Sequence, residues 1–146
     1  MTGSKAPESK MTDKYAVFGN PVAHSRSPQI HSDFAVATEQ DLSYEKQLVA
    51  VDGFEAAADE FFAAGGKGLN ITVPFKQEAY SYAARLTERA RRAGAVNTLT
   101  MQDDGTVLGD TTDGVGMITD IVQNLGWQIR AKRVLVLGAG GAVRGI

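Results

Sequence analysis

The chain has no cysteine among its 146 residues. That absence removes disulfides, thiolate nucleophiles and cysteine-ligated zinc together, and it fits a reducing compartment such as the cytoplasm. Long apolar runs are also missing. None approaches the ~20 residues a membrane-spanning helix needs, so no membrane partner is expected. Nor is there an excess of one charge: 15 Lys and Arg against 17 Asp and Glu leave a net charge of −2. The basic residues are dispersed, which gives nucleic acid nothing to grip. Residues Met1 to Asp13 are polar and lack the apolar centre of a signal peptide; they are expected to form a disordered tail. His24 and His31 have no third ligand nearby, so no metal site is expected and both are read as structural.

What remains is ordinary globular material, 43% hydrophobic and 22% charged, long enough for a real core. Tyr15 to Phe18 is a short apolar run ended by Gly19-Asn20-Pro21, which predicts a buried strand feeding a loop. Pro28 opens a helix with Ile30, Phe34 and Ala37 on one face. Ser43 to Val49 predicts a second strand. Phe54, Ala57, Ala58, Phe61 and Phe62 repeat at helical spacing until Gly65-Gly66 stops them. Leu69 to Val73 predicts a third strand, and Lys76 to Arg92 helical material with a break near Leu86-Thr87. Asn97 to Met101 and Thr106 to Leu108 flank Asp103-Asp104-Gly105, a hairpin signal. Met117, Ile118, Ile121, Val122 and Leu125 stripe one helix closed by Gly126, and a strand is expected from Arg133. The alternation predicts an α/β fold whose mostly parallel mixed sheet is flanked by helices.

Four segments carry candidate chemistry. In Asn20 to Pro28, proline disfavours the α region for Ser27, so the preceding segment is expected to be extended, with the Ser25 and Ser27 hydroxyls on one side. Such a pair suits a carboxylate or polyhydroxylated ligand; Ser27 serving as a helix N-cap is the alternative. In Asn70 to Lys76, Asn70 and Thr72 share one strand face. Lys76 then falls just past the carboxyl end of a strand, where α/β sheets bind ligands. The helix field there disfavours its ammonium, whereas a nearby carboxylate favours it. A solvated surface lysine is the alternative. Gly109 to Gly114 holds Asp110 and Asp113 before the striped helix, with N-capping by Thr112 or Asp113 as the plain reading.

The fourth segment, Val134-Leu135-Val136-Leu137-Gly138-Ala139-Gly140-Gly141-Ala142, is an apolar strand running into a glycine cluster. Dinucleotide-binding βαβ units begin this way, because glycines let backbone N–H groups approach a pyrophosphate. Val143 stands at the third glycine position, and the following strand with its ribose-reading residue is not in the sequence. The expected organisation is therefore a tail over 1–13, a first domain over 14–126, and the start of a Rossmann-type domain over 127–146.

The segments at 19–28, 70–76, 94–98, 109–114 and 137–142, in this order, resemble the motifs of the shikimate dehydrogenase family. The resemblance runs from about Tyr15 to the end of the chain. Thr111 stands where the family usually has asparagine, and family members continue through a full nucleotide-binding domain. The resemblance implies NADP-dependent interconversion of 3-dehydroshikimate and shikimate on the route to chorismate and the aromatic amino acids. It implies that Ser25 and Ser27 bind the substrate carboxylate, that Thr72, Asn97 and Asp113 bond ring hydroxyls, and that Asn70 lines the pocket. Lys76 is then the acid/base residue, paired with Asp113. Gly138, Ala139, Gly140, Gly141 and Ala142 would meet the cofactor pyrophosphate, with Glu88 toward the nicotinamide. A small-molecule substrate is the implied partner, with a homodimer as a further expectation. The alternatives are a quinate/shikimate dehydrogenase using NAD and a shikimate-binding module without catalysis; this length of chain alone is expected to be inactive.

Overall fold

The order in which the strands pair brings the polar loops of the chain together. A computed structural model describes residues 12–146. Up to residue 11 the expected tail lies outside the described residues, and its last member, Asp13, already belongs to the first strand.

Strands β1 (Asp13–Gly19) and β2 (Leu42–Leu48) run parallel, with Asp13 opposite Leu42 and Gly19 opposite Leu48. On the other side of β1, β3 (Gly66–Ile71) is also parallel. A hairpin of β5 (Thr98–Met101) and β6 (Val107–Asp110) extends the sheet antiparallel to β3. It turns at Gly105, whose φ of +79° suits glycine. A two-residue strand, β4 (Arg85–Leu86), adds parallel to β6. The resulting order is β2-β1-β3-β5-β6-β4, with three parallel and two antiparallel pairs. The expected mixed α/β sheet is therefore formed.

The helices are α1 (Ser27–Ala37), α2 (Phe54–Ala63), α3 (Lys76–Tyr82), α4 (Glu88–Ala93), α5 (Asp113–Thr119) and α6 (Gly141–Arg144). Phe54, Ala58 and Phe62 of α2 are buried at i, i+4, i+8 spacing and meet Phe18, Leu69, Ile71 and Phe75 in the core. Phe18 stands edge-on to Phe54 and Phe61, at centroid separations of 6.3 and 5.8 Å, and Phe54 stacks on Phe75 at 5.4 Å. Each such aromatic side chain contributes about 1.5–3 kcal/mol of burial. That core fixes β1, β3 and the start of α3 relative to one another.

Several expectations are corrected. α1 leans on the sheet through Pro28, His31 and Ala35, leaving Ile30 and Phe34 outward, because the buried stripe is carried by small and polar residues that apolar periodicity overlooks. β3 ends at Ile71; past it, the Thr72 N–H donates to the Phe18 carbonyl at 2.9 Å while Val73 turns outward. The break near Leu86-Thr87 is itself a strand, β4, and Thr87 then caps α4 by accepting from the Ala90 N–H at 3.2 Å.

The largest correction is at the C-terminal end. The strand expected from Arg133 does not form, and Val134, Leu135, Val136 and Leu137 are 46–84% exposed. A strand needs a neighbour to take its backbone donors and acceptors, and among the described residues no strand lies beside it. The stripe of Met117, Ile118, Val122 and Leu125 has helical spacing, through α5 and a π-helical turn at Asp120–Asn124 closed by Gly126. It too stays 38–52% exposed, because nothing in the described residues covers it.

Candidate active site

The sheet topology explains why distant motifs meet. β1 and β3 are parallel, so their carboxyl ends lie side by side. β5 runs antiparallel to β3, which puts its beginning at that same edge, and β6 returns there, with Asp110 opposite Thr98. The loops after β1, β3 and β6 and the residue before β5 therefore share one rim, the usual binding edge of such a sheet.

A cavity of about 530 Å³ opens on that rim and is lined by Ser25, Ser27, Asn70, Thr72, Lys76, Asn97 and Asp113. All the residues expected to act on the substrate thus lie around one space. A larger depression of about 760 Å³, beside Asp52, Glu55, Glu78 and Ser81, gathers none of them. Convergent polar groups rather than size mark the first as the functional candidate.

Lys76, the first residue of α3, donates from Nζ to Asp113 Oδ2 at 2.6 Å, with the two side chains 13% and 32% exposed. Asp113 opens α5, and its other oxygen, Oδ1, accepts from Asn97 Nδ2 at 2.8 Å. The surface-lysine and N-capping alternatives both fail here, since neither Thr112 nor Asp113 caps α5 through its side chain. The buried Asn97 also donates to Thr112 Oγ1 at 2.9 Å, and its oxygen accepts from the Thr112 N–H at 3.1 Å and Thr98 Oγ1 at 2.9 Å. Both Asn97 N–H groups are engaged, so this residue fixes the Asp113 carboxylate as well as lining the wall.

Ser25 donates to Ser27 Oγ at 3.1 Å and its own oxygen accepts the Ser27 N–H at 3.3 Å. The two hydroxyls are side by side as expected, but not through an extended segment. Arg26 sits at φ −93°, ψ 0°, the helix begins at Ser27 itself, and the pairing comes from a side-chain turn. Arg26, not Ser27, is the N-cap of α1 and makes no side-chain capping bond, so the N-cap alternative for Ser27 is not realised. The loop is held by Asn20, which donates to the Val49 carbonyl at 2.9 Å, and by Lys46, which donates to the Ala23 carbonyl at 2.7 Å. Gly19 permits the approach of Thr72: a Cβ there would lie 2.4 Å from Thr72 Cγ2.

Sequence reasoning missed Tyr44 and undervalued His31. Tyr44 Oη donates to Asn70 Oδ1 at 2.5 Å, and its ring stacks on His31 with centroids 4.2 Å apart. The imperfect alternation of β2 gave no signal for this contact. Glu88 is not brought to the cavity; it opens α4, 74% exposed, and pairs with Arg92 one turn on. In the glycine turn, Gly138 takes a φ of +133°, and a Cβ on Gly140 would meet nothing within 4 Å, so the backbone is open for a ligand's approach. The far end of the turn packs near the site, where a Cβ on Gly141 would lie 3.0 Å from Lys76 Cβ. These residues fit the pyrophosphate-facing turn of a dinucleotide, although Val134 to Leu137 behind it stay unpaired.

Comparison with known proteins supplies the family. The model of the shikimate dehydrogenase substrate-binding domain matches residues 17–99. A curated shikimate dehydrogenase (NADP(+)) of Cellvibrio japonicus is 65% identical over 136 residues, spanning 93% of this chain and 49% of that protein. The crystal structure of an Ael1 enzyme from Pseudomonas putida superposes with a TM-score of 0.84 at 49% identity, over 91% of this chain and 49% of that one. A shikimate 5-dehydrogenase from Thermus thermophilus, solved with NADP(H) and shikimate, gives a TM-score of 0.83 at 34% identity, over 92% of this chain and 50% of that one. The chain spans about half the length of the curated relatives it matches. By sequence match and by fold, it belongs to the shikimate dehydrogenase family, in the substrate-binding domain.

Proposed function

We propose that this chain supplies the substrate-binding and proton-transfer half of a cytoplasmic NADP-dependent shikimate dehydrogenase, which interconverts 3-dehydroshikimate and shikimate. The observation that carries this reading is the Lys76–Asp113 pair at 2.6 Å on the rim of a cavity that also holds Ser25, Ser27, Asn70, Thr72 and Asn97. In this reading residues 14–126 form the substrate domain and 127–146 open the nucleotide-binding domain, with Gly138 to Ala142 facing the cofactor pyrophosphate.

The serine pair at one end of the cavity offers hydroxyl donors to a carboxylate, and Asn70 and Thr72 at the β3 end offer partners for ring hydroxyls. Lys76 then stands beside the hydroxyl to be oxidised. Its ammonium donates to the oxygen as negative charge develops during reduction, and its amine takes the hydroxyl proton during oxidation. Asp113, fixed by Asn97, holds the lysine in place and accepts from the same hydroxyl. The nicotinamide, when bound, supplies the hydride chemistry.

The test is binding of shikimate to the full chain, followed by NMR titration. Ser25→Ala with Ser27→Ala should weaken binding by about 1.5–3 kcal/mol per hydroxyl, the usual cost of losing a hydrogen bond to a charged group. Binding unaffected by the double substitution would overturn this placement of the carboxylate.

A further inference from the structure

Tyr44 stands outside every motif shared with the family, yet it is tied to the site more closely than some motif residues. It sits on the edge strand β2, two residues before Lys46, and Lys46, Val17 and Asn70 occupy matching positions across β2, β1 and β3. In parallel strands, matched positions point to the same face, and so do residues two apart. Tyr44 therefore reaches diagonally across β1 to Asn70.

The Asn70 amide turns its oxygen toward Tyr44, with Oη 2.5 Å from Oδ1, a separation ordinary for O–H···O. The tyrosine hydroxyl is thus the donor and the amide oxygen the acceptor. Among the described residues Asn70 Nδ2 has no protein acceptor, and Asn70 lines the cavity. Its two N–H groups are left to the ligand space. The tyrosine is itself clamped: its ring stacks on His31 within 19° of parallel, and His31 Nδ1–H donates to the Ser27 carbonyl at 2.9 Å. Burial pushes the Tyr44 hydroxyl up to about 12, with the Ser27 hydroxyl opposing, so it remains a donor throughout the neutral range.

We infer that Tyr44 is a positioning residue of this site: through Asn70 it turns two N–H donors into the cavity and selects a ligand that presents an acceptor oxygen there. The inference rests on the proposed function for the identity of that ligand, shikimate, and on the geometry alone for the orientation of the amide. A ligand offering only donors at that point, such as an ammonium, is disfavoured.

The test is a double-mutant cycle in the full chain with Tyr44→Phe, Asn70→Ala and the pair, each titrated with shikimate by NMR. Phenylalanine keeps the ring against His31, so the strand packing is preserved. Tyr44→Phe should weaken binding about 5–20-fold, the worth of one oriented hydrogen bond. The pair should lose less than the sum of the two single losses, because the tyrosine acts on the ligand chiefly through the amide. Additive losses, which a general structural role would give, overturn the inference, as does unchanged binding by Tyr44→Phe. A second readout needs no ligand: the Asn70 side-chain ¹³Cγ and NH₂ resonances should shift in Tyr44→Phe. Unchanged resonances overturn the inference even if shikimate binds, whereas failure of the unsubstituted chain to bind shikimate overturns the proposed function and leaves these resonances to decide the orientation.

Discussion

Asp110→Asn replaces one oxygen by an amide nitrogen and removes a charge at the end of β6, three residues before Asp113. The carboxylate there accepts two hydrogen bonds from Arg89, one from Thr87 Oγ1 at 2.6 Å and one from the Thr111 N–H at 2.8 Å. The Arg89 guanidinium, opposed by burial and aided by Thr87 and the Thr111 N–H, pulls the carboxyl from 3.8 down to about 2. Fully realised, that displacement is worth about 2.5 kcal/mol of stability. The Arg89 side chain is 45% exposed, so solvent screening reduces the expected effect to about 1–1.5 kcal/mol. The sign follows from the lowered value. The folded state holds this proton less tightly than the unfolded state, so the stabilisation is fully present above about pH 4 and is lost as pH falls through about 2. Circular dichroism melts of the unsubstituted chain and Asp110→Asn should differ by about 3–6 °C at pH 6, given the scaling for a domain of this size. The two should converge as pH is lowered from 4 to 2. A gap that is absent at pH 6, or that persists undiminished at pH 2, would refute the assignment of this stabilisation to the carboxylate charge.

Lys76→Ala, in an enzyme that continues through the nucleotide-binding half, should lower kcat by about 10²–10⁴-fold with a much smaller change in KM, the usual signature of a lost acid/base group; steady-state kinetics from pH 7 to 9 check it, and near-normal kcat would remove the lysine from the mechanism. Asp113→Asn in the same enzyme should impair both kcat and KM, because the carboxylate orients Lys76 and also faces the ligand. Thr87→Ala removes the cap of α4 and one donor to Asp110, and should cost about 1 kcal/mol in thermal or urea unfolding; an unchanged midpoint would show that water replaces the hydroxyl.

The sequence by itself determined the local pieces. An apolar run ended by Gly19-Asn20-Pro21 marked β1, phenylalanine and alanine spacing marked α2, and Asp-Asp-Gly marked the hairpin turn, whereas β3, expected over Leu69 to Val73, spans Gly66–Ile71. Ser25, Ser27, Asn70, Thr72, Lys76, Asn97 and Asp113 were named as a set through the resemblance of their motifs to the family, and the structure lines one cavity with them. Only the tertiary structure decided what pairs with what. Asp113 meets Lys76 across 37 positions of chain, and Tyr44 meets Asn70 across 26, because β1 lies between β2 and β3, an arrangement no local pattern encodes. Tertiary context likewise overruled local propensity in both directions. Arg85-Leu86 became a strand because β6 offers it partners. Val134 to Leu137, apolar and with two β-branched valines, did not, because among the described residues nothing takes its hydrogen bonds. A strand is a property of a pair, and a sequence read one segment at a time supplies only half of it.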